Sequence, residues 1–298
     1  MPAGAAILHR SSHNPPEGVT LTRQDRPNPS APAVQKLRLR YTKRGRLRFT
    51  SHRDIARAFE RALRRAHVPM AYSQGFNPHP KISWIGAAPT GVASEAEYVE
   101  IQLVEALEPV DLVAILDAAM PPGLDVLEAV VAGPGGESLA DRVEASRWLI
   151  ELPRVPAADL RDAVARTLAE SVVEVERLTK NGMRTIDARA AIVAATVVET
   201  GVNTEADTGA DAVPGTRHDA TDPSDPAPTD PPCGILEVVV RQTTPAVRPD
   251  DVLSALRAVA ALEPPVPAKA TRMAQGRLDD SGGLSDPLAP DRVVHPAG

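Results

Sequence analysis

A single cysteine, Cys233, stands in a chain of 298 residues. One thiol excludes an internal disulfide framework and any multi-cysteine zinc or iron–sulfur site supplied by this chain alone, and it suits a reducing compartment. Aromatic residues are scarce, at 3%. No window approaches the roughly 18 uncharged apolar residues needed to span a bilayer. The opening MPAGAAILHRSSHNPPEG has no apolar run of signal-peptide length. These absences predict a soluble, cytoplasmic protein with no membrane association. A Walker loop, a Gly-x-Gly-x-x-Gly fingerprint and a Gly-x-Ser-x-Gly elbow are missing too.

What the chain does have is segregated. Hydrophobic residues make up 43%, enough for a folded core, while thirty prolines cluster in a few places. That combination predicts folded blocks separated by disordered segments. Charge is segregated as well. Between Lys36 and Arg65 twelve Lys or Arg stand against two acids, Asp54 and Glu60, in a chain whose formal net charge is −6. An acidic protein that concentrates positive charge in one stretch presents a surface suited to an anionic partner.

Residues 1–35 mix Pro, Ser, Asn and Gly without periodicity and read as a disordered tail. From Leu37 the pattern alternates: Leu37, Leu39 and Tyr41 on one side, Arg38 and Arg40 on the other. Leu47 and Phe49 resume it against Arg46 and Arg48 after Gly45. This predicts a half-buried strand with a basic face, or a short hairpin turning near Gly45. Ser51-His52-Arg53-Asp54 has the form of a helix N-terminus, with Ser51 as cap and Asp54 in the first turn. The helix runs to about His67, before Pro69. Ile55, Ala58, Phe59, Ala62, Leu63 and Ala66 fall within an arc of roughly 140°, and Arg53, Arg57, Arg61, Arg64 and Arg65 lie opposite. That single-signed face is an anion-binding surface, or else a solvated or protein-docking one.

The loop Ser73-Gln74-Gly75-Phe76-Asn77-Pro78-His79-Pro80-Lys81 follows. Its prolines and glycine give it a stiff shape. Phe76, Asn77, His79 and Lys81 are types that stack on, hydrogen-bond to or neutralise a nucleotide. The alternative is a structural loop with Phe76 tucked inward. Strand-like KISWIGA over 81–87, a turn at Pro89-Thr90-Gly91, a strand over 97–103, a helix over 110–120 and a strand over 124–131 complete a β-α-β-β-α-β order, that of a ferredoxin-like half.

The order then restarts: a strand over 143–152, a helix over 157–170, and a hairpin of 172–178 with 183–193 turned at Asn181-Gly182. Residues 201–232 carry seven acids, one Arg and six prolines and read as an acidic disordered insertion. A strand over 235–241 and a helix over 250–262 follow. The fold class expected is α+β, with two tandem ferredoxin-like halves. These are 36–135, basic and motif-bearing, and 140–262, split by the insertion at 201–233. Residues 264–298 read as a mostly disordered tail, with 268–278 the candidate for the missing last strand.

The segments RFTSHRDIARAFERALRRAHVP, AYSQGFNPHPKISW and GVASEAEY resemble the radical SAM-linked protein family, over roughly residues 36–275. That family is a domain of unknown function fused to, or encoded beside, B12-binding-type radical SAM proteins. The resemblance implies a radical SAM protein as partner, and this chain as the accessory part, since the cluster-binding Cys-x-x-x-Cys-x-x-Cys is absent. By motif position it nominates Ser51, His52, Arg53, Asp54, Arg57, Arg61, Gly75, Phe76, Asn77, Pro78, His79, Lys81 and Glu97. A fold-level likeness to CRISPR repeat-processing endoribonucleases adds to the case for RNA.

The reading is therefore an accessory RNA-binding module, transfer RNA being one candidate, that works with a radical SAM enzyme and needs no cofactor of its own. The nucleic-acid-binding set is Arg38, Arg40, Arg46, Arg48, Arg53, Arg57, Arg61, Arg64, Arg65, Phe76, Asn77 and Lys81. Two alternatives stay open. One is an endoribonuclease using His52 and His79 as acid and base; the other is a scaffold whose basic surface docks an acidic protein. No ligand spacing supports a metal on His52, His79, Asp54 or Glu97.

Overall fold

The computed structural model describes residues 31–133, 135–179, 182–198 and 232–292. The acidic insertion expected at 201–233 falls almost wholly outside the described residues, as does Asn181 of the expected hairpin turn.

Among the described residues the chain is mixed α+β, with one large mixed sheet and four helices. In chain order these are β1 (Gln35–Lys43), α1 (His52–Arg65), β2 (Ile82–Ile85), β3 (Ala93–Leu103), α2 (Pro109–Asp117), β4 (Val126–Val131), β5 (Ala145–Pro153), α3 (Ala157–Ala169), β6 (Glu174–Thr179), β7 (Gly182–Asp187), β8 (Ile192–Val198), β9 (Cys233–Arg241), α4 (Pro249–Ala260), β10 (Lys269–Leu278) and β11 (Leu284–Ser285). The main sheet runs β4-β1-β3-β10-β5-β9-β8, with β2 paired to β3 and β11 to β10, while β6 and β7 form a separate hairpin.

Each block buries its own core. In the first, Leu37, Leu39 and Tyr41 of β1 meet Ile55, Phe59 and Leu63 of α1, with Val99, Ile101 and Leu103 of β3 beside them. The apolar stripe of α1 predicted from its 3.6-residue period is the buried one. In the second block, Trp148, Ile150 and Leu152 of β5 pack with Leu160 of α3, Leu236, Val238 and Val240 of β9, and Val252 and Leu256 of α4. Pairing repeats between blocks. β1 lies between β4 and β3 with β2 beyond β3, and β5 lies between β10 and β9 with β8 beyond β9.

Three expectations change. The strand pattern of β1 does not resume after Gly45: residues Gly45–Phe49 form a 3-10 turn, and Phe49 is exposed rather than facing a core. Five residues in two short alternations fit a tight turn as well as a strand, and Gly45 at φ +53° supplies the left-handed step. The stretch 183–193 is not one strand. It divides at Asp187, whose carboxylate accepts from the backbone N–H groups of Val173, Arg189 and Ala190, so β7 ends there and β8 begins at Ile192. Finally, the candidate last strand at 268–278 is present as β10, at the middle of the sheet, but the residues after it, expected to be disordered, form a packed segment reaching Asp291.

The last segment also alters β1. A cluster of Ile85, Ala96, Tyr98, Val130, Leu139, Val143 and Leu288 covers the sheet face opposite α1. The basic side of β1 is thus roofed, not open. Burial by itself lowers the pKa of Arg38, but hydrogen bonds with Asp291 and Glu100 leave it raised.

Candidate nucleic-acid interface

α1 is built to leave its arginines outward. Ser51 caps it, its hydroxyl accepting from the Asp54 backbone N–H at 3.3 Å and donating to the Asp54 carboxylate at 2.7 Å. The helix ends where His67 turns into the left-handed region at φ +53° and Pro69 follows. With Ile55, Phe59, Ala62 and Leu63 buried, Arg53, Arg57, Arg61, Arg64 and Arg65 are exposed. At about 1.5 Å per residue the row from Arg53 to Arg64 extends roughly 16 Å.

The arginines differ in what holds them. Arg57 makes a loose pair with Asp54 at 3.4 Å, worth little at an exposed site. Arg65 donates to the carbonyl of Ala119 at 2.7 Å. Arg53, Arg61 and Arg64 have no hydrogen bond or ion pair among the described residues. Glu60 stands on the same face between Arg57 and Arg64 and offsets part of their mutual repulsion; an anion laid along the arginines would offset the rest.

The loop from Ser73 to Pro80 stands beside the end of this helix. The backbone N–H of Val104 donates to Pro69 at 2.9 Å and that of Ala71 to Gln102 at 2.7 Å, so the exit of α1 and the loop base both meet the Gln102–Val104 end of β3. The base is closed by Ser73 N–H to the His79 carbonyl at 2.8 Å, Lys81 N–H to Ala71 at 2.8 Å, and His79 N–H to the Ser73 hydroxyl at 3.0 Å. Gly75 supports the tip at φ +132°. Phe76 is 83% exposed, so it is not tucked inward. Asn77, Pro78, His79 and Lys81 are exposed with it.

The remaining candidates separate by burial. Arg38 is buried, its Nε donating to Glu100 at 2.8 Å and its Nη1 to Asp291 at 2.6 Å. Arg40 is half-buried between its cross-strand neighbours Tyr98 and Glu128. Arg38, buried and engaged, is thereby removed from the basic surface, while Arg40 keeps partial exposure. Arg46 is exposed, and Arg48 lies over the Phe49 ring at 4.6 Å. Glu97, matched by motif, is a buried structural acid: it accepts from Arg272 and, at 3.1 Å, from the backbone of Ala88. His52 is exposed with its ring edge-on to Trp84 at 5.3 Å, while His79 sits in the loop base. No hydrogen bond joins the two among the described residues. Nor do three His, Cys, Asp or Glu side chains gather there in a way that could hold a metal ion.

Sequence reasoning missed Lys43, Arg272 and Gln275. All three are buried at the junction of the blocks, where Lys43 donates to the carbonyls of Ala88 and Pro89 at 3.3 and 3.0 Å. Burial lowers the Lys43 pKa, and the nearby Glu97 charge works against that shift. No spacing could reveal this group, since Arg272 and Glu97 are separated by 175 positions.

The fold and surface define a two-cored α+β protein with an arginine-faced helix. Residues 36–249 match the family described as uncharacterized protein conserved in bacteria (DUF2344). The match spans well over half of the chain, and the chain belongs to that family. Among curated proteins none matches it. No helix of the described residues is long and apolar enough to cross a membrane.

Proposed function

We propose that this chain is a non-catalytic, RNA-binding accessory module that presents structured RNA to a radical SAM enzyme, and that its two blocks are ferredoxin-like halves. One observation carries the reading: Arg53, Arg61 and Arg64 are exposed and unpaired among the described residues, along a helix whose exit meets the same end of β3 as the base of the loop bearing the exposed Phe76. Arginines neutralise phosphates and an exposed aromatic ring stacks on an unpaired base. The radical SAM partner rests on the family resemblance, and the ferredoxin-like halves on the repeated strand pairing. Arg38, buried under the roof of the sheet, has no part in the binding surface.

The test is RNA affinity as a function of salt for the full chain and for Arg61→Ala/Arg64→Ala. Loss of two phosphate contacts lowers the salt slope by roughly 0.7–0.9 per contact. An unchanged affinity and slope would overturn the surface assignment. A purified protein that carries no RNA but co-purifies with a radical SAM polypeptide would replace it with the scaffold reading.

A further inference from the structure

The junction of the two blocks holds a concavity lined by no residue of α1. It is a cleft of about 230 Å³ whose walls include Trp148, Arg241, Gln242, Arg248, Arg272 and Gln275, and no carboxylate contributes to it. This is below the roughly 300–1,000 Å³ of a site for a drug-sized ligand, so the fitting occupant is a small group.

Three features give the cleft a sign. Arg241 and Arg248 are exposed at its mouth with no ion pair among the described residues. Arg272 is only 3% exposed. Its Nη2 binds Glu97 and its Nε donates to Ser94 at 3.3 Å, while its Nη1 has no partner among the described residues. Beside it lies a buried group with more cation than anion: Arg272 pairs with Glu97, while Lys43 donates to the Ala88 and Pro89 carbonyls and meets the Glu97 charge only at longer range. A buried surplus of positive charge is costly unless something offsets it.

The shape is also specified. Gly86 lines the cleft at φ +50°, and a Cβ there would lie 2.8 Å from Oε1 of Gln275. Glycine lets the β2–β3 connection close down on that amide. Arg272 covers the Trp148 ring at 5.3 Å, and Trp148 is only 5% exposed. The contact on offer is therefore charge and hydrogen bonding rather than base stacking.

We propose that this cleft binds a single phosphate group, carried by a free mononucleotide or by the 5′ end of an RNA. Planar guanidinium groups lining the cleft from β9, the N-cap of α4 and β10 suit the three terminal oxygens of a phosphomonoester. The site is independent of the arginine face of α1.

Calorimetric titration of the full chain with inorganic phosphate, adenosine monophosphate and a short oligoribonucleotide with and without a 5′ phosphate tests this. The expected result is saturable binding of the phosphate probes, weakened at least tenfold in Arg241→Gln/Arg248→Gln and unchanged in Arg61→Ala/Arg64→Ala. Both arginines of the first variant are exposed, so the fold is retained. Tighter binding of the mononucleotide supports the free-nucleotide source; tighter binding of the 5′-phosphorylated oligonucleotide than of its hydroxyl form supports the RNA end. No saturable binding of any phosphate probe, or equal binding by Arg241→Gln/Arg248→Gln, overturns the proposal. RNA affinity that survives loss of Arg61 and Arg64 would count against the α1 surface alone.

Discussion

Arg38 and Asp291 are 253 positions apart, yet the Arg38 guanidinium donates to the Asp291 carboxylate at 2.6 Å. Arg142 donates to the same carboxylate oxygen at 2.5 Å. One buried acid thus holds two buried cations, one from the second residue pair of β1 and one from the segment before β5, under the roof that closes the sheet.

Asp291→Ala leaves Arg38 its Glu100 partner but takes from Arg142 its close carboxylate, so it should destabilise the fold by about 3–5 kcal/mol, the range for breaking a buried ion pair. Denaturant unfolding followed by circular dichroism would measure it, and a change under 1 kcal/mol would contradict this account. Acid should act in the same direction. Burial by itself raises the Asp291 pKa, but hydrogen bonds from Arg142 and Arg38 more than offset that and hold it below 3.8. This contribution is complete above about pH 4 and is lost as pH falls through the folded value. Asp291→Ala should accordingly have a flatter stability profile below pH 4 than the parent chain.

Glu97→Ala should be as damaging, again by about 3–5 kcal/mol, because Arg272 and Lys43 would then be buried together without an acid. Combining it with Arg272→Met removes the cation that lost its partner, returns the group to the parent net charge and should recover part of the loss. A double variant no more stable than Glu97→Ala would show that packing, not charge, sets the cost.

Gly276→Ala tests the strap that follows β10. A Cβ at Gly276 would lie 1.9 Å from the Ser285 carbonyl oxygen, so β11 must move away. The expected penalty is roughly 1–3 kcal/mol, as for other overpacked sites, with faster amide exchange confined to residues around β11. Unchanged exchange there would mean that the strap is not held by β10.

Phe76→Ala separates binding from folding. An 83% exposed ring contributes little to the core, and stability should stay within about 0.5 kcal/mol of the parent. Affinity for single-stranded RNA should fall by about 1–3 kcal/mol. Equal RNA affinity would take the loop out of the proposed interface.

Local chemistry made much of this legible in the sequence. The Ser51 cap, the apolar stripe of α1 and the Pro69 stop are written within 19 consecutive residues, and the helix formed as those residues require. The alternation of β1 was equally plain, but it was silent on what covers the other face. Arg38 has the same local pattern whether it meets water or Asp291. For β10, Lys269-Ala-Thr-Arg-Met-Ala-Gln-Gly-Arg-Leu278 lacks an apolar alternation because Arg272 and Gln275 are interior residues satisfied by distant partners, Glu97 and Ala96. Polarity there reflects a buried junction, not a solvated tail. The same distance hid the phosphate-sized cleft, while the arginine row, being local, was visible.

The central position of β10 also bears on synthesis. Ribosomes add about 5–20 residues per second, so roughly 8–33 s separate completion of β3 from emergence of the strand that borders it. Throughout that interval the Ala93–Ser94 end of β3, which later pairs with Thr271–Arg272, is an open sheet edge on a nascent chain. Open edges recruit foreign strands, and Ser94 and Glu97, polar and charged at that margin, make it a poor template until Arg272 arrives to claim them.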